Sequence, residues 1–487
     1  MSRHAENSQA NVWRLDAGAA VDAAGLSVAP ASVLVDGAAG RVLACGAPGE
    51  VDRHPGAAAA RAPGFPPTGV KPGGTVPLPG AVLMPGLVNA HTHLDLTHLG
   101  PREHDPGRGF VAWIEMIRTG RCQAPEDIRA SAARGAALAL AGGTVAVGDI
   151  AGCTRGRHSL EPWRAVREAG LWGVSFIETF GIGPRRGEAG AGLAEFMERA
   201  RDEAEGSAGG PVRIGLQPHA PNTCSREHYR LCIRLARGGG EGRGEGSLPL
   251  CTHLAESVEE RAFVERGEGP QREMLERLGL WDDAILEDLG RGEGPVEHLA
   301  PVLSEGRFLV AHVNDADERA IGTLARTGTM VAYCPRASAY FGAEGRFGPH
   351  RYREMLAAGV VVALGTDSIV NLPPGAAEEG RGGVSVLDEM RLLHRRDGTD
   401  PMVLLRMATL NGAGALGLDA EGFSLREGSR PLGIVAVDVP RAGERGSAGA
   451  GAWLAGALRS DVPPRLILRR NSRSGKGLEV VNPAGAV

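Results

Sequence analysis

His91 and His93 close the run Pro85-Gly86-Leu87-Val88-Asn89-Ala90-His91-Thr92-His93. In an extended chain alternate side chains share a face, so both imidazoles point the same way. Two neutral ring nitrogens converging on one point suit a divalent transition metal. Groups of compatible type follow later apolar runs: His253 in Leu250-Cys251-Thr252-His253-Leu254-Ala255-Glu256, then His312, then Asp367 in Leu364-Gly365-Thr366-Asp367-Ser368. Three histidines and a carboxylate make a mixed N/O shell with room for a water whose pKa falls to about 7. Glu256, three residues past His253, is placed to take a proton from that water and deliver it to a substrate. His312, near the same water, would orient it or stabilise negative charge on the reacting group. Taken singly, each of these is more often a hydrogen-bonded structural residue; their joint order carries the catalytic reading. His4, His54, His158, His350 and His394 read as surface or structural.

Such residues lie far apart in sequence, so a scaffold must bring them together. Short β-branched or apolar runs over 86–91, 144–149, 172–179, 212–218, 249–253, 308–312, 330–334 and 360–365 alternate with segments of helical spacing, among them 124–140, 257–276 and 315–326. Eight parallel βαβ strands predict an α/β fold, a closed (β/α)8 TIM-like barrel, whose strand ends gather the candidate residues at one rim. The flanks read differently. Residues 31–46 predict two strands joined by an Asp36-Gly37 turn, and 433–439 predict another. The expected division is a barrel over 85–424 and a small β-sandwich domain formed from both chain ends, 1–84 and 425–487. Three stretches, 52–74, 238–246 and 442–473, read as loop insertions without a core. The glycine-rich run 238–246 is not followed by Lys-Ser/Thr and a helix start, so it is no phosphate cradle.

With 487 residues, 43% of them hydrophobic, the chain can bury a large core. A net charge of -5 gives no general attraction to nucleic acid or to an anionic membrane, which leaves a small-molecule substrate. The opening residues are polar, and no apolar stretch approaches the roughly 18 residues of a membrane span. Seven scattered cysteines, never paired as C-x-x-C, argue against a disulfide framework or a zinc knuckle and for a reducing cytoplasm. A homo-oligomer is left open. Lysine occurs only at 71 and 476.

The segments PGLVNAHTHL (85–94), PHAPNTCS (218–225), THLAES (252–257), YCPRASAYFG (333–342), LGTDS (364–368) and LLRMATLNGAGALG (404–417) resemble the amidohydrolase superfamily, in its branch of aminohydrolases and chlorohydrolases. The resemblance implies His91, His93, His253 and Asp367 as metal ligands, Glu256 as proton shuttle, His312 near the attacked carbon and His219 as a substrate contact. Two-metal members often bridge their ions with a carboxylated lysine; no lysine here reaches the rim, so one divalent metal is expected, zinc favoured over Fe, Mn or Co. Glu178 could hold a second ion but reads rather as a solvated strand-end carboxylate. Within the branch, NAHTHLDL, the stretch from Glu259-Glu260 to Gly267-Glu268-Gly269-Pro270, and YCPRASAYFG are similar to deaminases of aminofutalosine and S-adenosylhomocysteine. Pro221-Asn222-Thr223 and His312-Val313-Asn314-Asp315 depart from that group in substrate-facing loops.

The expected reaction is hydrolytic deamination: activated water attacks the amine-bearing carbon of a purine-like ring, Glu256 protonates a ring nitrogen, Asp367 accepts a proton and ammonia leaves. If the substrate carries a carboxylate, Arg118, Arg121 or Arg336 would clamp it. Loss of chloride from a triazine, or opening of a cyclic amide, would use the same water. A silent scaffold would have lost a ligand, and none is missing. The H-x-E…P-C-x-x-C signature of base-flipping deaminases is absent.

Overall fold

The computed structural model describes residues 11–60, 73–105, 109–205, 210–238, 247–374, 383–440, 449–472 and 474–481. Five strands come first: β1 (Val12–Val21), β2 (Ser27–Val28), β3 (Ala31–Asp36), β4 (Arg41–Gly46) and β5 (Gly74–Pro85). Eight more follow: β6 (Leu87–Thr92), β7 (Thr144–Ala151), β8 (Trp172–Thr179), β9 (Val212–Pro218), β10 (Leu250–Leu254), β11 (Phe308–His312), β12 (Met330–Tyr333) and β13 (Val362–Leu364). The chain ends with β14 (Gly433–Asp438), β15 (Arg465–Arg470) and β16 (Leu478–Val480).

Strands β6 to β13 form one sheet in sequence order, parallel throughout, the eight strands of the expected barrel. They are buried on both faces, which is why they read as unbroken apolar runs rather than alternating ones. The barrel closes at its rim. The His93 N–H donates to the Asp367 carbonyl at 3.1 Å, and the N–H groups of Thr366 and Asp367 donate to the His91 carbonyl at 3.1 and 3.0 Å.

The second sheet joins the chain ends in the order β16-β15-β14-β5-β1-β3-β4, with β2 on β1. Its seam is β5 against β14, antiparallel from Ile434 opposite Pro85 to Asp438 opposite Ala81. Gly86 then turns the chain from β5 into β6; a Cβ there would lie 2.5 Å from Val145 Cγ1, so only glycine fits.

Two expectations are corrected. Residues 442–473 are not a coreless insertion, because Ala450–Arg459 is a helix and β15 pairs with β14. Trp453, Leu454 and Ala457 of that helix are buried, and Gly18 of β1 leaves room for the Trp453 ring. The stretch 52–74 is likewise part-structured: Val51, Ala57 and Ala60 pack with Val12 and Leu34. Residues 61–72, 239–246 and 441–448, which carry the rest of the loop expectations, lie outside the described residues. The helical stretch 257–276 is two helices, Val258–Arg266 and Pro270–Arg277, broken where Gly267 turns left-handed at φ 68°. Among the described residues no helix is long and apolar enough to cross a membrane.

Candidate active site

The closing seam of the barrel is also where the candidate ligands begin. The Asn89 amide donates to Thr366 Oγ1 at 2.7 Å and accepts the Thr366 N–H at 3.0 Å, while Thr92 Oγ1 donates to the Asp367 carbonyl at 2.9 Å. This ladder fixes Asp367 against His91 and His93. Oδ1 of Asp367 lies 3.8 Å from His91 Nε2 and 3.5 Å from His93 Nε2, and Oδ2 accepts the Asn371 side-chain N–H.

From β10, His253 brings its Nε2 to 3.3 Å from His93 Nε2. Its Nδ1 faces the His219 carbonyl at 3.1 Å and the Gln217 amide at 3.3 Å. A carbonyl only accepts, so Nδ1 carries the proton and Nε2 keeps its lone pair toward the cluster. His312 stands next, its ring centre 5.4 Å from those of His91 and His253. His91, His93 and His253 offer ligand atoms within 4.8 Å of one another, as do His91, His312 and Asp367.

These groups fit a metal ion. Both ring nitrogens of the fully buried His91 and Nδ1 of His93 lack a hydrogen-bond partner among the described residues, a costly state that coordination relieves. Burial, then the proximity of the other rings, holds His91 and His93 well below the usual imidazole range and His253 at about 3. All three therefore present neutral nitrogens, the form that ligates.

Glu256 lies just beyond β10 with Oε1 3.5 Å from His312 Nε2. Its backbone is pinned from three sides. The Glu260 carboxylate accepts the N–H groups of Ala255 and Glu256 at 2.8 and 2.7 Å, and the Asn314 amide donates to the Glu256 carbonyl at 3.0 Å, itself held by Ser338 at 2.6 Å. Burial, followed by the charges of Asp367 and Glu260, pushes the Glu256 carboxyl well above the usual range. Burial likewise carries Asp367 and Glu260 to about 7. Four of the five described non-glycine residues with positive φ stand at these strand ends: Ala255 (54°), His312 (75°), Val313 (53°) and Asp367 (55°). Such strain persists only where the surroundings impose it, and it gathers at sites of function.

The other candidates sit differently. His219 Nδ1 bonds to Thr223 Oγ1 at 2.7 Å, and its ring centre is 4.9 Å from that of His253. Arg118 is on the exposed face of the helix Gly109–Gly120, paired with Glu115 at 2.6 Å. Arg121 is buried, 3.0 Å from Asp95 Oδ2 and 3.5 Å from Glu178 Oε2; its guanidinium occupies the space where a side chain on Gly152 would stand. Arg336 donates to Glu389 through its backbone N–H at 2.9 Å and its Nε at 2.5 Å, and to the Gly383 and Ser385 carbonyls at 3.0 and 3.2 Å. Glu178 is not the solvated carboxylate expected from its strand end. It is 2% exposed and accepts the Cys153 N–H at 2.9 Å, because β8 turns it into the barrel.

The profile of the amidohydrolase family matches residues 82–436, from the end of β5 through the whole barrel into β14. The chain belongs to that family. Among its curated relatives is the 5-methylthioadenosine/S-adenosylhomocysteine deaminase of Natronomonas pharaonis, 29% identical over 85% of this chain and 82% of the relative. The aminodeoxyfutalosine deaminase of Deinococcus radiodurans is 30% identical over 69% of this chain and 74% of that one. Among solved structures, Helicobacter pylori aminofutalosine deaminase in complex with methylthio-coformycin shares the fold, with a TM-score of 0.68 at 17% identity over 95% of this chain and 99% of that one. This amidohydrolase is thus a hydrolase with deaminase relatives and a histidine-aspartate cluster suited to a divalent metal.

Sequence reasoning missed the supporting residues of the amidohydrolase site: Asn89, Asn371, Asn314 and Glu260. Only Glu260 had a legible signal, the spacing Ser257-x-x-Glu260, in which Ser257 Oγ accepts the Glu260 N–H at 3.1 Å. The Glu260 carboxylate reaches further back than a standard capping box, onto Ala255 and Glu256.

Proposed function

We propose that the enzyme removes the amino group of an aminopurine nucleoside by hydrolysis, with one divalent metal held by His91, His93, His253 and Asp367. The observation that carries this reading is the meeting of four metal-compatible side chains with a shielded glutamate, Glu256, at a single barrel rim. Zinc is the favoured ion, since neutral imidazoles and one carboxylate match its preferences. A water activated by such an ion is a nucleophile near pH 7.

The chain's own groups do the rest. Glu256, whose environment favours the protonated form, hands its proton to a ring nitrogen as the water oxygen bonds to the amine-bearing carbon. Asp367 accepts the proton that the water gives up and returns it to the departing nitrogen. The C–N bond breaks and ammonia leaves; the hydroxyl left on the ring carbon returns its proton to Glu256, so that the ring becomes an oxo form and the enzyme recovers its starting state. His312, 3.5 Å from the Glu256 carboxyl, orients the proton carrier and stabilises charge at the attacked centre. His219 contacts the substrate from the neighbouring strand end. The names of the curated relatives support a nucleoside with a 5′ thioether or an aminofutalosine-like tail as substrate. The same reading places the enzyme in a reducing cytoplasm, in keeping with its seven free cysteines.

Ammonia release from protein of assayed metal content, offered adenosine, 5′-methylthioadenosine, S-adenosylhomocysteine and aminodeoxyfutalosine, tests the proposal. Turnover of any one is the expected result. Metal-loaded protein silent on all four would overturn deamination and leave dechlorination or cyclic-amide hydrolysis.

A further inference from the structure

Glu178 is a buried carboxylate beside the catalytic cluster that neither the metal set nor the proton transfers use. It pairs in register with Gln217 of β9, whose amide lies on His253, so its side chain occupies the same interior layer as the cluster. Its two oxygens have different surroundings. Oε2 is anchored by the Cys153 N–H at 2.9 Å and faces the Arg121 guanidinium at 3.5 Å. Oε1 has no donor within hydrogen-bonding distance among the described residues, and points to His219 Nε2 at 4.0 Å.

That imidazole has its other nitrogen engaged by Thr223 at 2.7 Å, so Nε2 of His219 and Oε1 of Glu178 are two polar atoms facing one gap. Their separation exceeds a direct hydrogen bond and suits two atoms sharing one small polar group. The Phe180 ring lies 4.7 Å from that of His219 and is 37% exposed, so an apolar edge that reaches solvent adjoins His219. A carboxylate oxygen whose partner oxygen is anchored, and whose own lone pairs meet no donor among the described residues, is oriented and available to accept a donor arriving with the substrate.

We propose that Glu178 is a specificity-determining residue: its Oε1, beside His219 Nε2, accepts a hydrogen bond from a sugar hydroxyl of the nucleoside, and Arg121 holds the carboxylate in place as a positioning residue. This rests on the nucleoside deaminase reading and adds the part of the substrate that the β8 and β9 ends recognise.

The test compares the parent enzyme with Glu178→Gln and Glu178→Asp on adenosine, 2′-deoxyadenosine and 3′-deoxyadenosine, measuring ammonia release, equilibrium binding and metal content. Glu178→Asp keeps the charge that Arg121 faces and draws the acceptor back by one methylene, so it reports on contact even if Glu178→Gln folds poorly. The expected result is a loss of at least about tenfold in kcat/KM on adenosine, mostly in KM, for both variants. On the deoxy analogue that lacks the recognised hydroxyl, the loss is within about threefold, and the parent discriminates against that analogue by the same factor as it loses by mutation. Metal content stays unchanged. Equal losses on all three nucleosides, or no loss, would overturn the assignment of Glu178 and leave deamination intact. Binding that discriminates among the nucleosides without ammonia release would overturn deamination and keep Glu178. Neither binding nor release would remove both.

Discussion

On the β6 and β13 side of the rim, ring nitrogens of His91 and His93 are buried without hydrogen-bond partners among the described residues, and Asp367 presents one oxygen to them. Close by, the two buried arginines have their guanidiniums engaged by protein groups: Arg121 by Asp95 and Glu178, Arg336 by Glu389 and two carbonyls. Both regions are polar and buried, and both are rich in residues that a sequence reader would call catalytic. They differ in satisfaction. A buried group whose bonding capacity the protein completes contributes to structure, whereas one left incomplete at a strained strand end is available to a ligand. Arg121 and Arg336 stand on the structural side of that division, which leaves their guanidiniums little capacity for a substrate carboxylate.

Breaking the available side should cost the most activity. Glu256→Gln preserves size and the pinned backbone but cannot carry a proton, so kcat should fall by about 10²–10⁴-fold. Metal content, read by elemental analysis, should stay at the parent level. A variant that retains parental kcat would show that Glu256 is not the proton carrier.

The completed side should respond in stability instead. Arg336→Ala leaves Glu389, fully buried on the helix Val386–Asp397, without its cation, and should cost about 3–5 kcal/mol in urea unfolding. KM of the folded fraction should change little. A large rise in KM with unchanged stability would return Arg336 to the substrate-binding set.

The same contrast explains what could be read from sequence. The barrel strands were legible because strands buried on both faces leave unbroken apolar runs. β5 was not, since Pro77 and Pro79 within it argue against a strand, and β1 is diluted by Ala17, Gly18, Ala19 and Ala20. The helix Ala450–Arg459 was hidden by its own composition: its glycines and alanines, which resemble a linker, allow Trp453 to reach the sheet. In the site, titratable residues declare themselves by type, so His91, His93, His253, His312, Asp367 and Glu256 could all be named. Asn89, Asn314 and Asn371 act through neutral amides on partners up to 277 positions away, and no local spacing marks such a contact.

Asp149 tests whether satisfaction, rather than burial alone, decides the matter. Its carboxyl accepts the Leu94 N–H at 3.0 Å and a longer bond from Ser175 at 3.4 Å, and burial, then the charge of Asp95, raises it to about 7. In the unfolded chain it titrates near 4. Between those values the native state keeps a proton that the unfolded state has released, so this group's stabilisation is full below about pH 4 and is lost as pH rises toward 7. Asp149→Asn cannot ionise. Its stability relative to the parent should therefore climb across that window and level off above it, by a few kcal/mol at most. Urea midpoints at several pH values check this; a difference independent of pH would show that Asp149 is ionised in the folded protein.

Arg118 should show the smallest effect and so marks the boundary of the comparison. It lies on the helix Gly109–Gly120, where its side chain is 44% exposed and its ion pair with Glu115 is one turn away on the same helix. Exposed pairs of this kind contribute little, because water solvates both charges nearly as well apart as together. Arg118→Ala should change stability by no more than about 0.5 kcal/mol and leave KM unaltered on every nucleoside offered. A selective rise in KM for substrates bearing a carboxylate, absent for adenosine, would show that this helix swings its arginine over the site when such a tail is bound. That result would make a mobile, exposed cation, rather than a buried and completed one, the group that reads the distal end of the substrate.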